Sequence, residues 1–511
     1  MGTRSTERLT SEDAEILGLE STAIKGHKAS VLVLDPAEDG APLDIDELRT
    51  SIASRLSSEP RARQRVLQTP MGLGRPAWVD YAEFDLADHV LSASGSEEAG
   101  IDHAEQSSSA VSEENPGDDA PAKAGDGLAQ LADHAALREY TARLMSAHLD
   151  HDKPMWTIHA LRLSGGRTGL VLRIHHCIAD GIGTLRFLGG LLWDEEQRPQ
   201  RGAPEEWTPE PVPSAAALAG TGLADRAAAI AGGAVGIARS LTRPAAIRDS
   251  LGNLARLPRV LIRELRPGAT EGTRFDRSIG PRREVAWLRR PIAELKGIGA
   301  AHSNGGHATI NDVLLAGLAG GIRAWLGDGA AGEKMRVKIP VSMHRRDSDS
   351  DGIGNRDSFL FVDLPLEEAD PVQRLRQINA ETAKRKEHHD AEELYGFFQG
   401  ISHLSPLHHV VSKASMSPRE FTIEASNVPG PRSPRWVLGR RVTELYSVTE
   451  PAARHALRVS AISLEDQLAI NLCTDPDALE GVARLADHIE AAFDELATPD
   501  SPSGGSESDL P

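Results

Sequence analysis

The chain has 511 residues, 40% of them apolar and 26% charged, with 56 Lys and Arg against 75 Asp and Glu for a formal charge of −19. That length exceeds one hydrophobic core, so two large domains are expected, and the acidic balance argues against nucleic acid as a partner. Two cysteines, Cys177 and Cys473, exclude a disulfide framework and fit a reducing compartment.

Met1 to Glu7 lack the apolar run of a secretory signal. Met1-Gly2 with Ser5-Thr6 matches a myristoylation pattern too briefly to count. Ser11 is placed to cap a helix reaching Leu19, a strand follows at Ala29–Leu34, and Leu43–Ser57 reads as an amphipathic helix. Asp85–Val90 leads into an acidic insert. Residues 91–130 hold nine Asp and Glu against one Lys and almost no large apolar side chain, which reads as disordered and solvated. The tail 498–511, with three acids and no base, reads the same way.

Ala132–His148 has helical periodicity, with Leu137, Tyr140, Leu144 and His148 on related faces. Two strands, Trp156–Leu163 and Leu170–His175, are joined by a hairpin turn at Ser164-Gly165-Gly166, and a helix runs over Gly183–Trp193. Residues 201–272 form a linker that is Pro/Glu-rich, then Ala-rich, then Arg-rich. From Arg226 to Arg266 it holds eight Arg and two acids. Arg256, Arg259, Arg263 and Arg266 share one helical face and Leu254, Leu257, Leu261 and Leu265 the opposite one, with Pro258 kinking or restarting the helix. Such a segment either packs its leucines on the second domain or lies on an anionic membrane surface. No run of about 18 apolar residues exists, so no spanning helix is expected; the nearest case, Ser214–Ala238, is broken by Asp225 and Arg226.

The second half opens near residue 273. Thr309 starts a helix ending at Leu326, with Gly327 as its C-terminal cap. Strands are expected at Arg336–Pro340, Phe359–Leu364, Ser460–Leu464 and Leu468–Cys473, and a last helix at Leu479–Leu496. Mixed helices and strands in two halves give an α/β class. No internal repeat relates the halves.

The chemistry concentrates in His175-His176-Cys177-Ile178-Ala179-Asp180-Gly181, an HHxxxDG pattern between a strand and a helix. An imidazole at the lip of a pocket, beside a turn pinned by a carboxylate, suits acyl transfer to an alcohol. Adjacent side chains of a strand point to opposite faces, so one histidine is structural and the other free to react. His176 shares parity with Leu170, Leu172 and Ile174, and His175 with Val171 and Arg173; the sequence selects neither. A metal triad of two His and Asp180 is hindered by the adjacency of the histidines. A Cys177 nucleophile is hindered by its pointing away from His176. Histidine pairs also occur at His388-His389 and His408-His409, so it is the strand, the Asp-Gly turn and the helix that distinguish the first pair. No G-x-S-x-G, P-loop, H-E-x-x-H or C-x-x-C is present.

Taken with other blocks in order, the motif resembles the bacterial wax ester synthase/acyl-CoA:diacylglycerol acyltransferase family, within the chloramphenicol-acetyltransferase-like and condensation-domain superfamily. The blocks are Leu9-Thr10-Ser11-Glu12-Asp13-Ala14, Trp78-Val79 with Phe84-Asp85-Leu86-Ala87-Asp88-His89-Val90, Leu149-Asp150 with Lys153-Pro154-Met155-Trp156, and the HHxxxDG motif. Ala308-Thr309-Ile310-Asn311-Asp312-Val313, Pro340-Val341-Ser342, Gly354-Asn355 and Ser426-Asn427-Val428-Pro429-Gly430-Pro431 complete them. The chain departs from the family in placing Met343-His344 before Arg345, in Arg274-Phe275-Asp276 where Asn-Gly is common, and in the long acidic insert.

The resemblance implies two chloramphenicol-acetyltransferase-like subdomains of mixed sheets covered by helices, over 1–200 and 273–497, with a channel between them. It implies His176 as general base, His175 as supporting, and Asp180 as structural beside Gly181. Asn311, Asp312, Ser342, Asn355, Ser426 and Asn427 become the expected substrate-binding residues. Asn311-Asp312 has the alternative role of capping its helix. No metal and no cofactor are implied. Long-chain acyl-CoA is the co-substrate, diacylglycerol or a fatty alcohol the acceptor, with no covalent acyl-enzyme. A cytoplasmic protein in peripheral contact with the membrane's inner face or lipid inclusions is expected. Two rival readings are the same chemistry on another hydroxyl or amine, and a non-catalytic lipid-droplet-binding protein.

Overall fold

Thr10, one residue before the expected Ser11, accepts the Asp13 N–H and starts helix α1 (Ser11–Gly18), after which β1 (His27–Leu34) is buried along its whole length. Asp44 caps α2 (Ile45–Ala53) through the Asp46 and Glu47 N–H groups, which starts the helix two residues later than Leu43. A ribbon of β2 (Gln64–Leu67) and β3 (Ala77–Asp80) and the short β4 (Val90–Ser92) precede α3 (His134–Ser146). The hairpin of β5 (Trp156–Arg162) and β6 (Thr168–His175) turns at Gly165 and Gly166, whose φ angles of 71° and 73° require glycine. α4 (Gly181–Leu192) follows the motif, and the Ala-rich part of the linker is α5 (Ala215–Thr242). Arg8 docks α5 on the first half, donating to the Leu218 carbonyl and pairing with Asp225.

The second half comprises β7 (Glu284–Pro291), α6 (Ile292–Ala301), α7 (Ile310–Leu326), β8 (Met335–Ser342), β9 (Asp357–Leu364) and α8 (Pro371–Glu387). It continues with β10 (Ile423–Val428), β11 (Trp436–Val437), β12 (Arg440–Thr449), β13 (Leu457–Leu464), β14 (Gln467–Thr474) and α9 (Val482–Ala497). This computed structural model describes residues 7–93, 134–197, 205–242, 273–302, 307–342, 357–387 and 421–498. The acidic insert beyond Ala93, the Arg/Leu stripe of 254–266, Asn355, the histidine pairs at 388 and 408 and the tail from 499 lie outside the described residues.

Among the described residues two mixed six-stranded sheets stand beside the β2–β3 ribbon, in the orders β11-β12-β1-β6-β5-β4 and β7-β14-β13-β10-β8-β9. The expected α/β class holds. The boundary between the sheets, however, does not fall at the linker. β12, from the second half, pairs antiparallel with β1 and completes the first sheet. Its buried Glu444 accepts from the Tyr446 hydroxyl, and Arg440 donates to the carbonyls of Leu438, Ala41 and Pro42. Partnered this way, charged residues stay in a strand interior.

The second sheet is covered on both faces. Val337, Ile423, Ala425, Val459 and Ala461 turn toward α7, α8 and α9. Ile462, Ala469, Cys473 and Trp287 join the core of the first half. Gly321 lets α7 and α9 meet backbone to backbone: a Cβ there would lie 2.5 Å from the Ile489 Cα. The described residues thus place the HHxxxDG loop where the first sheet meets the alternate face of the second.

Candidate active site

β6 ends at His175, and His176 opens the turn to α4. Asp180 caps that helix, its Oδ1 accepting the Gly183 N–H at 2.5 Å. Losing such a cap costs roughly 1–2 kcal/mol. Asp180→Ala should therefore lower the melting temperature by a few degrees as well as lowering activity, by differential scanning calorimetry. Lost activity at an unchanged melting temperature would give the carboxylate a direct chemical role instead.

The strand's end separates the two histidines. His175 is fully buried, and its Nδ1 accepts the Cys177 N–H at 3.1 Å. That bond places the proton on Nε2, which donates to Glu20 Oε1 at 2.6 Å. Glu20 also contacts His151 Nε2 at 2.9 Å. Partial burial pushes the Glu20 carboxyl up, but the hydrogen bonds from His151 and His175 outweigh it and hold the group at about 2. Space here is made by Gly26, with φ +70; a Cβ on it would sit 2.3 Å from His175 Nε2. Glu450, at the end of the second half's contribution to the first sheet, holds this turn. Its carboxylate accepts the N–H groups of Lys25 and Gly26 at 3.0 and 2.6 Å and pairs with Arg283.

His176 donates its backbone N–H to the Gly26 carbonyl at 2.8 Å, and its side chain is half-buried. It continues the parity of Ile174, whose cross-strand partner is Lys28. Burial pushes the His176 imidazole well below its ordinary value, and the charges of Lys28 and Arg458 push the same way. The ring is therefore neutral near pH 7, the form that accepts a proton. Cys177 is buried, which raises its thiol well above the ordinary range and leaves it protonated. His175 is committed to Glu20 and Cys177, and Asp180 to the α4 cap, so the two histidines and the aspartate do not converge on one point.

The other half meets the loop at Gly181, where a Cβ would lie 2.8 Å from Val428 Cγ2. The neighbouring Asn427 donates its Nδ2 to Asn311 Oδ1 at 2.7 Å. Asn427 and Asn311 are thus paired with each other at the end of β10, whose next residue, Val428, is the one that meets the motif, and Ser426 lies half-buried in the same strand. Asp312 is placed otherwise: it is buried, completes the Thr309 capping box, and accepts from Asn379 and Thr382 of α8. Ser342 ends β8, and Asn355 is outside the described residues. On the second-sheet face toward the loop, Lys338, Glu424 and Arg458 form a row across β8, β10 and β13, with Arg458 paired to Glu424.

The remaining blocks of the sequence are architectural. Phe84 stacks on His89, His89 on Trp156 at 4.8 Å, and Trp156 packs edge-on against Phe187 of α4. A cleft of about 610 Å³ between α3 and β7, lined by Arg138, Arg143, Ser146 and Arg283, contains no motif residue and is not the candidate site. Glu20, Gly26, Lys28, Arg458 and Glu450 escape sequence reasoning. Lys28 directly precedes the run expected as a strand, Ala29–Leu34, and nothing in the sequence marks it as buried.

The model of the wax ester synthase/diacylglycerol acyltransferase catalytic domain matches residues 9–98 and 127–314, and that of the WS/DGAT C-terminal domain matches 353–497. A Mycobacterium tuberculosis protein named as a diacylglycerol O-acyltransferase is 27% identical, covering 96% of each chain. The wax ester synthase/diacylglycerol acyltransferase from Marinobacter aquaeolei VT8 superposes with a TM-score of 0.62 at 18% identity, over 96% of this chain and 98% of its own. The starter condensation domain of rhizomide synthetase, solved with C8-CoA and Leu-SNAC, gives 0.56 at 12% identity, over 96% and 94%. At these identities the two structures establish the fold.

Proposed function

From the premise that the chain belongs to the wax ester synthase/diacylglycerol acyltransferase family, we propose that it moves a fatty acyl group from acyl-CoA to the hydroxyl of diacylglycerol or a long-chain alcohol, with His176 as general base. The acceptor oxygen attacks the thioester carbonyl while the His176 ring takes its proton. The C–S bond then breaks, and the imidazolium returns the proton to the departing CoA thiolate. Imidazole is far less basic than an alkoxide, so proton transfer accompanies attack rather than preceding it. The observation that carries this reading is the His176 ring itself. It sits in the turn between β6 and α4, held by its backbone to Gly26, where burial and the charges of Lys28 and Arg458 hold the imidazole well below its ordinary value.

The pairing of Asn427 with Asn311, one residue from the Val428 contact with Gly181, supports a role for both in substrate binding. Asn427 engages the Asn311 carbonyl, which orients the Asn311 amide as a donor to the developing oxyanion. Ser342, Ser426 and Asn355 belong to the same proposed surface. Asp312 would serve indirectly, by holding the start of α7. Acyl-CoA as donor finds support in the C8-CoA complex of the shared fold.

Among the described residues no helix is long and apolar enough to cross a membrane. Insoluble acceptors and the Arg-rich stretch 226–266 support peripheral contact with the cytoplasmic face of the membrane or with lipid inclusions.

Purified protein given labelled palmitoyl-CoA with diolein or hexadecanol should release CoA only when an acceptor is present and should yield triacylglycerol or wax ester. Absence of either product, with label appearing on another hydroxyl or an amine, would move the activity to that acceptor.

A further inference from the structure

We propose that Lys28 is a positioning residue for the transfer reaction, its buried ammonium stapling the end of the His176–Asp180 loop from the face of the sheet that His176 continues. The inference rests on His176 as the base.

Lysine in the interior of a fully buried strand needs a reason, because an ammonium without partners is costly there. Lys28 is 3% exposed in a strand whose every residue is buried. Its Nζ donates to the Ala179 carbonyl at 3.0 Å and the Asp180 carbonyl at 2.5 Å. Those carbonyls close the loop that His176 opens, and Asp180 also starts α4. Lys28 faces Ile174 across the β1–β6 pair, so its side chain leaves the sheet on the face that His176 continues. One side chain thus ties the far end of the catalytic loop to the strand beside it and puts a positive charge on the face of the sheet that His176 continues.

The charges around His176 come from each element packed on it. Lys28 lies on β1. Arg458 on β13 is paired with Glu424 on β10. His27, also on β1, is fully buried and interacts with both histidines of the motif; His175 is the chain neighbour of His176, and Asp180 ends the loop. A like charge disfavours the protonated ring. The consequence is twofold. The ring stays available as a free base at pH values where an ordinary histidine is half protonated. Once protonated, it gives the proton readily to the departing thiolate, whose conjugate thiol has a pKa near 8.5. The cost is weaker basicity during attack, a Brønsted trade.

The test compares Lys28→Gln, which keeps a donor and removes the charge, with Lys28→Arg, which keeps both. Protein labelled at histidine ¹³Cε1 is titrated by NMR, the His176 resonance being the one missing from His176→Ala. The acid limb of kcat/KM with palmitoyl-CoA and diolein is recorded alongside. Lys28→Gln should raise the ring's midpoint by about one unit, making activity below that midpoint fall about tenfold relative to wild type. Lys28→Arg should restore both. An unmoved midpoint and an unmoved acid limb in Lys28→Gln, even with a lowered melting temperature, would reduce Lys28 to a structural residue and overturn the proposal. Because the NMR titration needs no turnover, it stands or falls separately from the role of His176 as base.

Discussion

His176→Ala is expected to reduce transfer from palmitoyl-CoA by about 10²–10⁴-fold, the range a positioned general base supplies, while leaving the melting temperature within a few degrees of wild type. The ring is half-buried, and the loop is tied through its main chain. The His176 N–H bonds Gly26, Lys28 holds the Ala179 and Asp180 carbonyls, and Asp180 caps α4. All of these contacts remain when the imidazole is removed. A purified variant that keeps more than about a tenth of wild-type kcat/KM would remove the base assignment.

Gly26→Ala should be the most damaging single methyl in the described residues near the loop. Its φ of +70 costs an L-residue about 1–2 kcal/mol. The added Cβ would lie 2.3 Å from His175 Nε2 and 2.8 Å from Glu20 Oε1, distances that real Cβ atoms do not show. Retreat of the turn is opposed by Glu450, which grips the N–H groups of Lys25 and Gly26. Either the His175–Glu20 bond or the Glu450 clamp must open, and a charge-assisted bond contributes roughly 1.5–3 kcal/mol. The combined loss, about 2.5–5 kcal/mol, is a large part of ordinary domain stability. Gly40→Ala is the matched control: its φ is +72, with open space where the Cβ would go. Urea unfolding should show Gly26→Ala losing at least about 2 kcal/mol more than Gly40→Ala, together with most activity. Equal losses would mean that the turn has room the packing does not show.

What the sequence disclosed follows the range of the interactions. The capping box at Thr309 and Asp312, the Gly165-Gly166 turn, and the strand–turn–helix around HHxxxDG are set by residues within a few positions of one another. The parity of His175 and His176 was legible too, but which ring is committed depends on Glu20, 155 residues away. The same distance problem hides Glu450, which reaches Gly26 across 424 residues, and the Asn311–Asn427 pair, separated by 116. β12 was missed because its Arg440 and Glu444 look like surface residues until their partners are assembled. Asp312 is a substrate residue by the resemblance and a helix cap by the alternative reading, and its carboxylate is used by Thr309, Asn379 and Thr382, in keeping with the cap.

The central claim is direct transfer from CoA to the acceptor hydroxyl under the His176 base, and rapid-quench single-turnover measurement tests it most directly. Enzyme in excess over labelled palmitoyl-CoA and diolein should pass label from CoA to triacylglycerol with no protein-bound acyl species at any time, and His176→Ala should slow that single step by the full factor given above. Label that accumulates on the protein before reaching the lipid, or a His176→Ala step as fast as wild type, would contradict it.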